Sequence, residues 1–385
     1  MSNLFEQITR AYQSEPENRT APAMIGELPL SYEALTPEWM TDILCRGVSG
    51  AEVTSITLGA PDSGSANRRK IALTYNEKGQ QAGFTRSVFC KASHGLNNRL
   101  LLGIGGAIYS ETFFYNRIRP QLNIEAPVCF FADYDPVSLN SLIVMDDLTG
   151  SVESFCTHET YINKARAESQ LDALALLHSK YNETTEFDGE TPKPSSWPQY
   201  FYNVVAVGME EAATNGFNAA EEVIPKRLFR RANEIWPATL ACVDEHDSLP
   251  WTLCHNDVHV KNWYALPGDR MGLSDWQCLT YGHWSRDLAY VLSSSLTVED
   301  RRRWERELIQ YYLDKLAAGG LTGISFDFAW TNYRRELLST LPWWTGTLTP
   351  SAQMPKDLQP RDITLEMIRR MTTAIDDLDA LDSFK

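Results

Sequence analysis

The pattern of apolar and polar positions divides the chain into a strand-rich part and a helical part. From residue 51 to residue 146 apolar positions mostly alternate with polar ones, as they do in half-buried strands, and one segment instead has helical spacing. The turn residues Asn76 to Gly79 separate the second strand from the third. In order, the predicted elements are strands 53–58, 69–75 and 84–91, a helix over 108–118, and strands 127–132 and 141–145.

After Asp146 the apolar positions recur mainly at helical spacing. Thr297 to Asp300 resembles a capping box, and Gly319 with Gly320 is a helix stop. A short β segment, 251–275, interrupts the helices and predicts a hairpin across the turn at Pro267. The predicted helices are 158–181, 197–216, 220–241, 297–318, 326–341 and 362–381.

These elements predict an α+β fold with two lobes. Residues 1–50 are expected to form a helical, peripheral extension, because Thr36 and Pro37 form a typical helix start. Residues 51–149 are expected to form a five-stranded antiparallel sheet with one helix, and residues 150–385 a mostly helical lobe.

Composition and charge exclude several classes of protein. The 385 residues carry a net charge of −15, which a phosphate backbone would repel, so we expect no nucleic-acid partner. We see no signal peptide and no apolar run long enough to span a membrane. The seven scattered cysteines have no CxxC spacing and indicate reduced thiols. We therefore expect a cytoplasmic globular enzyme with no membrane partner; the sequence does not indicate its oligomeric state.

The most informative stretch is the polar loop 255–262, with the sequence HNDVHVKN. It places Asp257 and Asn262 five residues apart between strands, and Asp275 follows at a strand end. Phosphoryl transfer from a nucleotide requires such a set. One carboxylate orients the acceptor hydroxyl and takes its proton, while an amide and a second carboxylate hold magnesium against the phosphates.

Three further features upstream fit the same chemistry. Lys91 ends the third predicted strand, and Glu111 lies on the following helix, so an ion pair can hold the lysine against α- and β-phosphates. Ser63, Gly64 and Ser65 lie in a turn of small residues, where backbone N–H groups can approach phosphate. The turn alone is weak evidence, but the order of all these features along the chain is specific.

Taken together, these motifs resemble the protein-kinase-like small-molecule kinases, that is, the aminoglycoside phosphotransferase and choline kinase group. The chain is most similar to the ecdysteroid-kinase-like branch. The resemblance covers about residues 50 to 385 and rests on these segments: VFCKAS with Lys91, SETFFYNRI with Glu111, LIVMDDLTG (142–150), HNDVHVKN (255–262), SDWQ (274–277), SRDLAYVL (285–292) and AIDDLDAL (374–381).

The resemblance implies a two-lobed protein-kinase-like fold and a role for each site residue. Asp257 would be the catalytic base, Asn262 and Asp275 the magnesium ligands, and Lys91 with Glu111 the phosphate-holding pair. Backbone groups of Asp146, Asp147 and Leu148 would hold the adenine. The expected co-substrate is ATP, with GTP as the alternative. The expected acceptor is a small-molecule alcohol, either an aminoglycoside or amino alcohol or a bulky apolar alcohol such as a sterol.

Three departures from the family pattern concern the geometry of the loops. Asn256 replaces the usual glycine, Ser274 precedes the second aspartate where an apolar residue is common, and the hairpin lacks a GxGxxG pattern.

Two alternatives stay open at this point. A metallohydrolase would gather His255, Asp257 and His259 on one metal, but it leaves Lys91 and Glu111 unexplained. A catalytically weak, nucleotide-binding pseudokinase would be expected to lack a core residue, and none is missing.

Overall fold

The computed structural model describes residues 2–352, 354 and 359–384, without the side chains of Ser2 and Ser63. The chain forms two compact units. Unit 1 consists of Met1–Pro120 and Pro127–Gly150, and unit 2 consists of Gln121–Ala126 and Ser151–Lys385. The first fifty residues thus belong to the same unit as the sheet, although the sequence suggested a separate extension. The functional limits of the domains stay a prediction.

Unit 1 is built on an antiparallel sheet. Its strands are β1 (Val53–Leu58), β2 (Asp62–Ser63), β3 (Asn67–Tyr75), β4 (Ser87–Ala92), β5 (Cys129–Tyr134) and β6 (Ser141–Asp146). Five of them lie in the order β1-β3-β4-β6-β5, and the short β2 pairs with β3. In this register Lys91 pairs with Arg68 on one side and Ile143 on the other. Lys91 therefore lies on a central strand of the sheet, where both neighbouring strands fix its backbone.

The helices of unit 1 cover more of the chain than the sequence predicted. They are α1 (Ser2–Ser14), α2 (Pro37–Leu44), α3 (Glu77–Gln81), α4 (Leu96–Ile104) and α5 (Ala107–Phe113). A π-helical turn, Phe114–Ile118, continues α5 and completes the helix predicted over 108–118. The predicted turn after Asn76 is the short helix α3, which Asn76 caps by accepting a hydrogen bond from the Gly79 N–H.

The apolar face of the sheet packs on the N-terminal region. Ile71, Val88 and Val144 are fully buried and share one cluster with Trp39 and Met40 of α2. The Thr36 side chain caps α2 as predicted, by accepting a hydrogen bond from the Trp39 N–H. Burial of aromatic and branched side chains between α2 and the sheet stabilises the strand that carries Lys91.

Unit 2 is mainly helical. Its helices are α6 (Lys164–Lys180), α7 (Trp197–Val205), α8 (Met209–Ala219), α9 (Lys226–Phe229), α10 (Ala232–Glu245), α11 (Ser285–Ser295), α12 (Val298–Ala318), α13 (Phe326–Leu348) and α14 (Arg361–Asp377). The helix predicted over 197–216 is two helices, because Gly208 adopts a φ of 96° and caps α8. The prediction for α12 was accurate, and Thr297 caps it by accepting from the Asp300 N–H.

Short strands carry the polar loops of unit 2. They are β7 (Ser154–Phe155), β8 (Thr252–Cys254), β9 (Trp263–Leu266), β10 (Arg270–Leu273) and β11 (Thr280–Gly282). The predicted hairpin is present, since β9 pairs with β10 across Gly268 and Asp269, both at positive φ. Strand β8 pairs with β11 and leads into the loop 255–262.

None of the helices in the described parts of the chain has the length and apolar character needed to cross a membrane.

Candidate functional site

The Asp257 carboxylate in unit 2 is held by side chains of its own loop and of α11. The side-chain amide of Asn262 donates to the Asp257 carbonyl at 2.7 Å and to its Oδ2 at 3.1 Å. The Tyr290 hydroxyl lies 3.4 Å from Oδ1 and His259 Nε2 3.6 Å from the same atom. The side chain of Asp257 keeps 24% of its surface exposed. It is thus oriented by neighbours and still accessible, as a general base requires.

Asp287 fixes the backbone that leads into Asp257. Its two carboxylate oxygens accept from the N–H groups of His255 at 2.7 Å and Asn256 at 2.8 Å. His178 Nε2 is 3.1 Å from Oδ2. Burial alone would raise the pKa of Asp287, but the hydrogen bond and charge of His178 outweigh it and lower the pKa. Asp287 is therefore a structural support of the loop that carries Asp257.

Asn256 explains one departure from the family pattern. It adopts a φ of 63°, in the left-handed region that favours glycine and that asparagine tolerates best among the other residues. Its side-chain amide donates to the Cys254 carbonyl at 3.1 Å and to the Thr280 hydroxyl at 2.5 Å. The asparagine therefore meets the backbone requirement of a glycine and also ties the loop to strand β11.

Ser274 explains the second departure and connects Asp275 to the loop. The Ser274 N–H and hydroxyl both donate to the Asn262 carbonyl at 2.9 Å, while His255 Nε2 is 3.0 Å from the Ser274 carbonyl. Asp275 follows with a φ of 62°. The structure therefore brings together the backbone segments of the two residues that we predicted as magnesium ligands.

This donor set fits magnesium. Because the Asn262 amide nitrogen donates to Asp257, its oxygen is the atom that can meet a cation. An amide oxygen and the Asp275 carboxylate are hard oxygen donors of the kind that magnesium binds together with phosphate oxygens and waters.

Lys91 and Glu111 form a buried ion pair in unit 1. Lys91 Nζ lies 3.0 Å from Oε1 and 2.8 Å from Oε2 of Glu111, and the two side chains are 10% and 5% exposed. Glu111 lies on α5 and Lys91 on β4, so the pair joins the helix to the sheet. The ion pair expected from the sequence is present. Its contact with phosphate stays a prediction.

The small-residue hairpin is tied to the start of α4. The Asn98 side-chain amide donates to the carbonyls of Gly64 at 3.1 Å and Ser65 at 2.8 Å, and the Gly64 N–H donates to the Ala66 carbonyl at 3.0 Å. The side chain of Ser63 lies outside the described part of the chain. Since the Gly64 N–H already has a partner within the turn, its predicted contact with phosphate would require this turn to rearrange.

The segment predicted to hold adenine follows β6. The Asp146 N–H donates to the Val128 carbonyl at 2.9 Å. The Asp147 carboxylate accepts from Ser87 Oγ at 2.6 Å and lies 2.5 Å from Lys70 Nζ. Burial raises the pKa of Asp147, but the hydrogen bonds from Lys70, Ser87 and Thr149 lower it to about 2. The side chain of Asp147 thus has a structural role, while the adenine contacts of Asp146, Asp147 and Leu148 stay a prediction.

Aromatic side chains surround Asp257, and one of them escaped the sequence analysis. Trp344 Nε1 donates to the Tyr290 hydroxyl at 3.0 Å, and the Trp344 ring centre lies 5.3 Å from that of His259. Burial and the nearby Asp257 charge raise the pKa of Tyr290 well above its ordinary value, so its hydroxyl stays a donor. The sequence feature that could have identified Tyr290 is its position three residues after Asp287, which is close to one helix turn along α11. Trp284, another tryptophan of unit 2, instead packs against Tyr312.

The contacts of His255 do not suit the metallohydrolase alternative. Its Nδ1 accepts from the Asp257 N–H at 3.2 Å and its Nε2 faces the Ser274 carbonyl, so both ring nitrogens contact backbone. A metal shared with Asp257 and His259 would have to break one of these contacts.

A second cluster contains side chains of types that can bind a metal, but hydrogen bonds account for their positions. His178, Cys254 and Asp287 have ligand atoms within 4.8 Å of one another. However, His178 Nδ1 is 2.6 Å from the Tyr312 hydroxyl and both Asp287 oxygens accept from the loop. Burial raises the pKa of the Cys254 thiol well above its ordinary value, which disfavours the thiolate that a metal requires.

Comparison with solved structures concerns the fold of the chain. A protein from Ralstonia eutropha assigned as an aminoglycoside phosphotransferase superposes with a TM-score of 0.50 at 13% identity, over 88% of this chain and 96% of that one. An ethanolamine kinase from Plasmodium vivax gives a TM-score of 0.49 at 13% identity, over 96% and 93% of the two chains. At this identity the first likeness concerns the fold alone, and it confirms the predicted protein-kinase-like α+β fold.

Sequence comparison gives a shorter match and a longer one. An uncharacterized kinase-like protein of Caenorhabditis elegans is 29% identical over 155 residues, which are 37% of this chain and 39% of that protein. The match thus spans well under half of that relative. The sequence profile of the ecdysteroid kinase-like family matches residues 67–322, which include Lys91, Glu111, Asp257 and Asp275. Two thirds of the chain therefore match this profile, and the protein belongs to the ecdysteroid kinase-like family.

Proposed function

We propose that this protein is a kinase that transfers the γ-phosphoryl group of ATP or GTP to the hydroxyl group of a small molecule. The observation that carries this proposal is the geometry of the loop 255–262. There the partly exposed Asp257 carboxylate is oriented by Asn262 and Tyr290, and Asp287 anchors the backbone before it. The buried Lys91–Glu111 pair is the independent support from unit 1.

The chain's own residues have separate tasks in this reaction. Asp257 accepts a hydrogen bond from the acceptor hydroxyl and takes its proton as the oxygen attacks the γ-phosphorus. The bond from that phosphorus to the bridging oxygen breaks, and the nucleoside diphosphate leaves with the electron pair. Asn262 and Tyr290 hold the carboxylate in place, and Lys91 stabilises charge on the α- and β-phosphates. Positioning and electrostatics therefore supply most of the rate.

Magnesium is the expected metal of this reaction. Asn262 and Asp275 would hold it, and when bound it would neutralise charge on the phosphate oxygens. Both residues offer oxygen atoms, which favours magnesium over zinc.

The acceptor is a small-molecule alcohol. Tyr290 and His259 lie next to Asp257 and pack with Trp344, and all three side chains are buried. They therefore do not choose between the two classes of acceptor that the resemblance allows, an amino alcohol or aminoglycoside and a bulky apolar alcohol. An acceptor panel must contain both classes.

The experiment is a nucleotide-consumption screen with ATP and GTP against such a panel, with and without magnesium. We expect turnover with at least one alcohol in the presence of magnesium. In the Asp257→Asn variant we expect kcat to fall by about 10²–10⁴-fold, because this variant keeps the shape of the side chain and removes the base. Nucleotide affinity should stay close to that of the wild type.

The matched control is Asp314→Asn, which changes an exposed carboxylate of α12 that lies 2.8 Å from Gln310. We expect wild-type turnover from it. Undiminished kcat in Asp257→Asn would refute the assignment of the base. Stoichiometric zinc in the purified protein that is lost in His259→Ala would instead support the metallohydrolase.

A further inference from the structure

Glu15, the residue that follows the N-terminal helix α1, supplies the charge that compensates a fully buried arginine. Arg99 on α4 has no exposed surface, and both guanidinium Nη atoms contact the Glu15 carboxylate, Nη2 at 3.3 Å from Oε2. Burial lowers the pKa of Arg99, and the Glu15 carboxylate acts in the opposite direction. A guanidinium in such a place requires a carboxylate or several oxygen acceptors.

The remaining contacts of Arg99 reach the end of the strand that carries Lys91. Its Nε donates to the Ser93 carbonyl at 2.9 Å, and its Nη2 contacts the His94 carbonyl at 3.3 Å. Ser93 and His94 directly follow β4, which ends at Ala92. Arg99 therefore holds the exit of the lysine strand, two residues after Lys91.

Arg19 repeats this arrangement from the N-terminal segment itself. Its Nη1 lies 2.7 Å from Glu15 Oε2, and its Nη2 donates to the His94 carbonyl at 2.6 Å. The Tyr12 ring lies 4.3 Å from the Arg19 guanidinium carbon and 5.0 Å from that of Arg99. Glu15 thus compensates two guanidinium groups that both bind the same carbonyl.

One apolar cluster includes residues of the N-terminal helix α1 and of α5, the helix that carries Glu111. Ile8 is fully buried in a cluster with Leu102 of α4 and with Ala107 and Ile108 of α5. Ile108 lies three residues before Glu111. A Cβ atom added at Gly103 would lie 3.3 Å from Ile8 Cδ1, so α1 packs directly on this part of α4. The N-terminal segment therefore packs on α4, and it is linked to the exit of β4 through Arg99 and to α5 through the shared apolar cluster.

We propose that residues 2–19 position the Lys91–Glu111 pair for nucleotide binding, with Glu15 as the positioning residue that acts through Arg99. This segment lies outside residues 67–322, the part that matches the family profile. The inference rests on the proposed function, because it requires that Lys91 binds the phosphates of the nucleotide. Removal of the Glu15 charge leaves Arg99 buried without its carboxylate, so its contacts with the Ser93 and His94 carbonyls change, and we expect this change to alter how the Lys91 side chain is held against Glu111.

The test compares Glu15→Gln with Glu6→Gln in the full chain. Glu6 lies on α1, nine residues before Glu15, and forms an exposed pair with Arg10 at 3.5 Å, with both side chains about 70% exposed. Binding of magnesium-ATP is measured by calorimetry, independently of turnover. We expect Glu15→Gln to weaken binding about tenfold, as expected for a loss near 1.4 kcal/mol. Glu6→Gln should bind like the wild type, and Glu15→Asp should restore part of the loss.

A double-mutant cycle with Glu111→Gln separates positioning from a general loss of stability. If Glu15 acts through the ion pair, Glu15→Gln has little further effect on ATP affinity once Glu111 is replaced. Equal losses in both backgrounds would overturn the proposal, and so would wild-type affinity in Glu15→Gln. If Glu15→Gln does not fold, Ile8→Ala is placed in the same cycle and judged by the same two outcomes.

Failure of the proposed function gives a different result. In that case Lys91→Ala binds magnesium-ATP as the wild type does, or the wild type does not bind it. A loss in Lys91→Ala together with full affinity in Glu15→Gln refutes the positioning role alone.

Discussion

At the scale of single residues, the chemistry of the loop 255–262 could be inferred from the sequence, but its backbone conformation could not. The types and spacing of Asp257 and Asn262 predicted a shared environment, and the structure brings the two side chains within 3.1 Å. The replacement of the usual glycine by Asn256 left the loop geometry open, since a sequence does not show φ. The value of 63° resolves this point, because asparagine tolerates that conformation.

The strain at residue 256 can be measured by two substitutions. Asn256→Gly and Asn256→Ala both lose the side-chain hydrogen bonds to Cys254 and Thr280, so they differ mainly in their tolerance of positive φ. We expect the alanine variant to be less stable than the glycine variant by about 1–2 kcal/mol. Urea unfolding of the two variants checks this expectation. Equal stability would mean that the loop relaxes to a negative φ when the asparagine is lost.

At the scale of elements, strands were predicted more reliably than helices. The apolar pattern located all five main strands of unit 1, because each contributes apolar side chains to the cluster with α2, and β6 is buried along nearly its whole length. Helix α4 escaped because three glycines in 100–109 hid its spacing, and the break at Gly208 divided a helix predicted as continuous. Such breaks depend on tertiary packing, which overrides local preference.

The Lys91–Glu111 pair gives a prediction about two elements, β4 and α5. Because the side chains are 10% and 5% exposed and share two contacts, removal of either leaves the other charge buried. We expect Lys91→Ala, Glu111→Ala and the double mutant to lose similar amounts of kcat/KM for nucleotide, so that the losses are not additive.

The control cycle for this prediction uses the exposed pair Arg10 and Glu6. An exposed pair contributes about 0–1 kcal/mol, so we expect small and additive changes there. Fully additive losses at Lys91 and Glu111, or no losses, would exclude a joint role in binding phosphate.

At the scale of the whole molecule, the net charge of −15 argued against a nucleic-acid partner, but it did not show which ionisable side chains are buried. Each unit buries a histidine that the sequence did not single out. Burial lowers the pKa of His94 in unit 1 to about 4, and that of His283 in unit 2 to about 3. Burial also lowers the pKa of His255. Which histidines are buried depends on packing between distant segments, which is why composition could not show it.

These histidines predict how stability depends on pH. An unfolded histidine titrates near pH 6.5, so below that pH the unfolded chain binds protons that the folded chain does not. The stability that neutral His94 and His283 provide is therefore present above pH 6.5, and it is lost as the pH falls from 6.5 towards about 4 and about 3. The loss should reach about 2 kcal/mol per histidine at pH 5, since each pH unit contributes about 1.4 kcal/mol. The lowered pKa of Asp147, about 2, adds its effect only below about pH 4.

The measurement is urea unfolding at pH 7.5, 6.0 and 5.0. His94→Gln keeps a polar side chain next to Asn140, whose Oδ1 is 3.1 Å from His94 Nδ1, and cannot take up a proton. We expect its stability to fall less between pH 7.5 and 5.0 than that of the wild type, and we expect the same of His283→Gln. Hydrogen exchange assigns each effect to its unit, because His94 lies in unit 1 and His283 in unit 2. A wild-type stability that does not change between pH 7.5 and 5.0 would show that these two rings take up protons without unfolding.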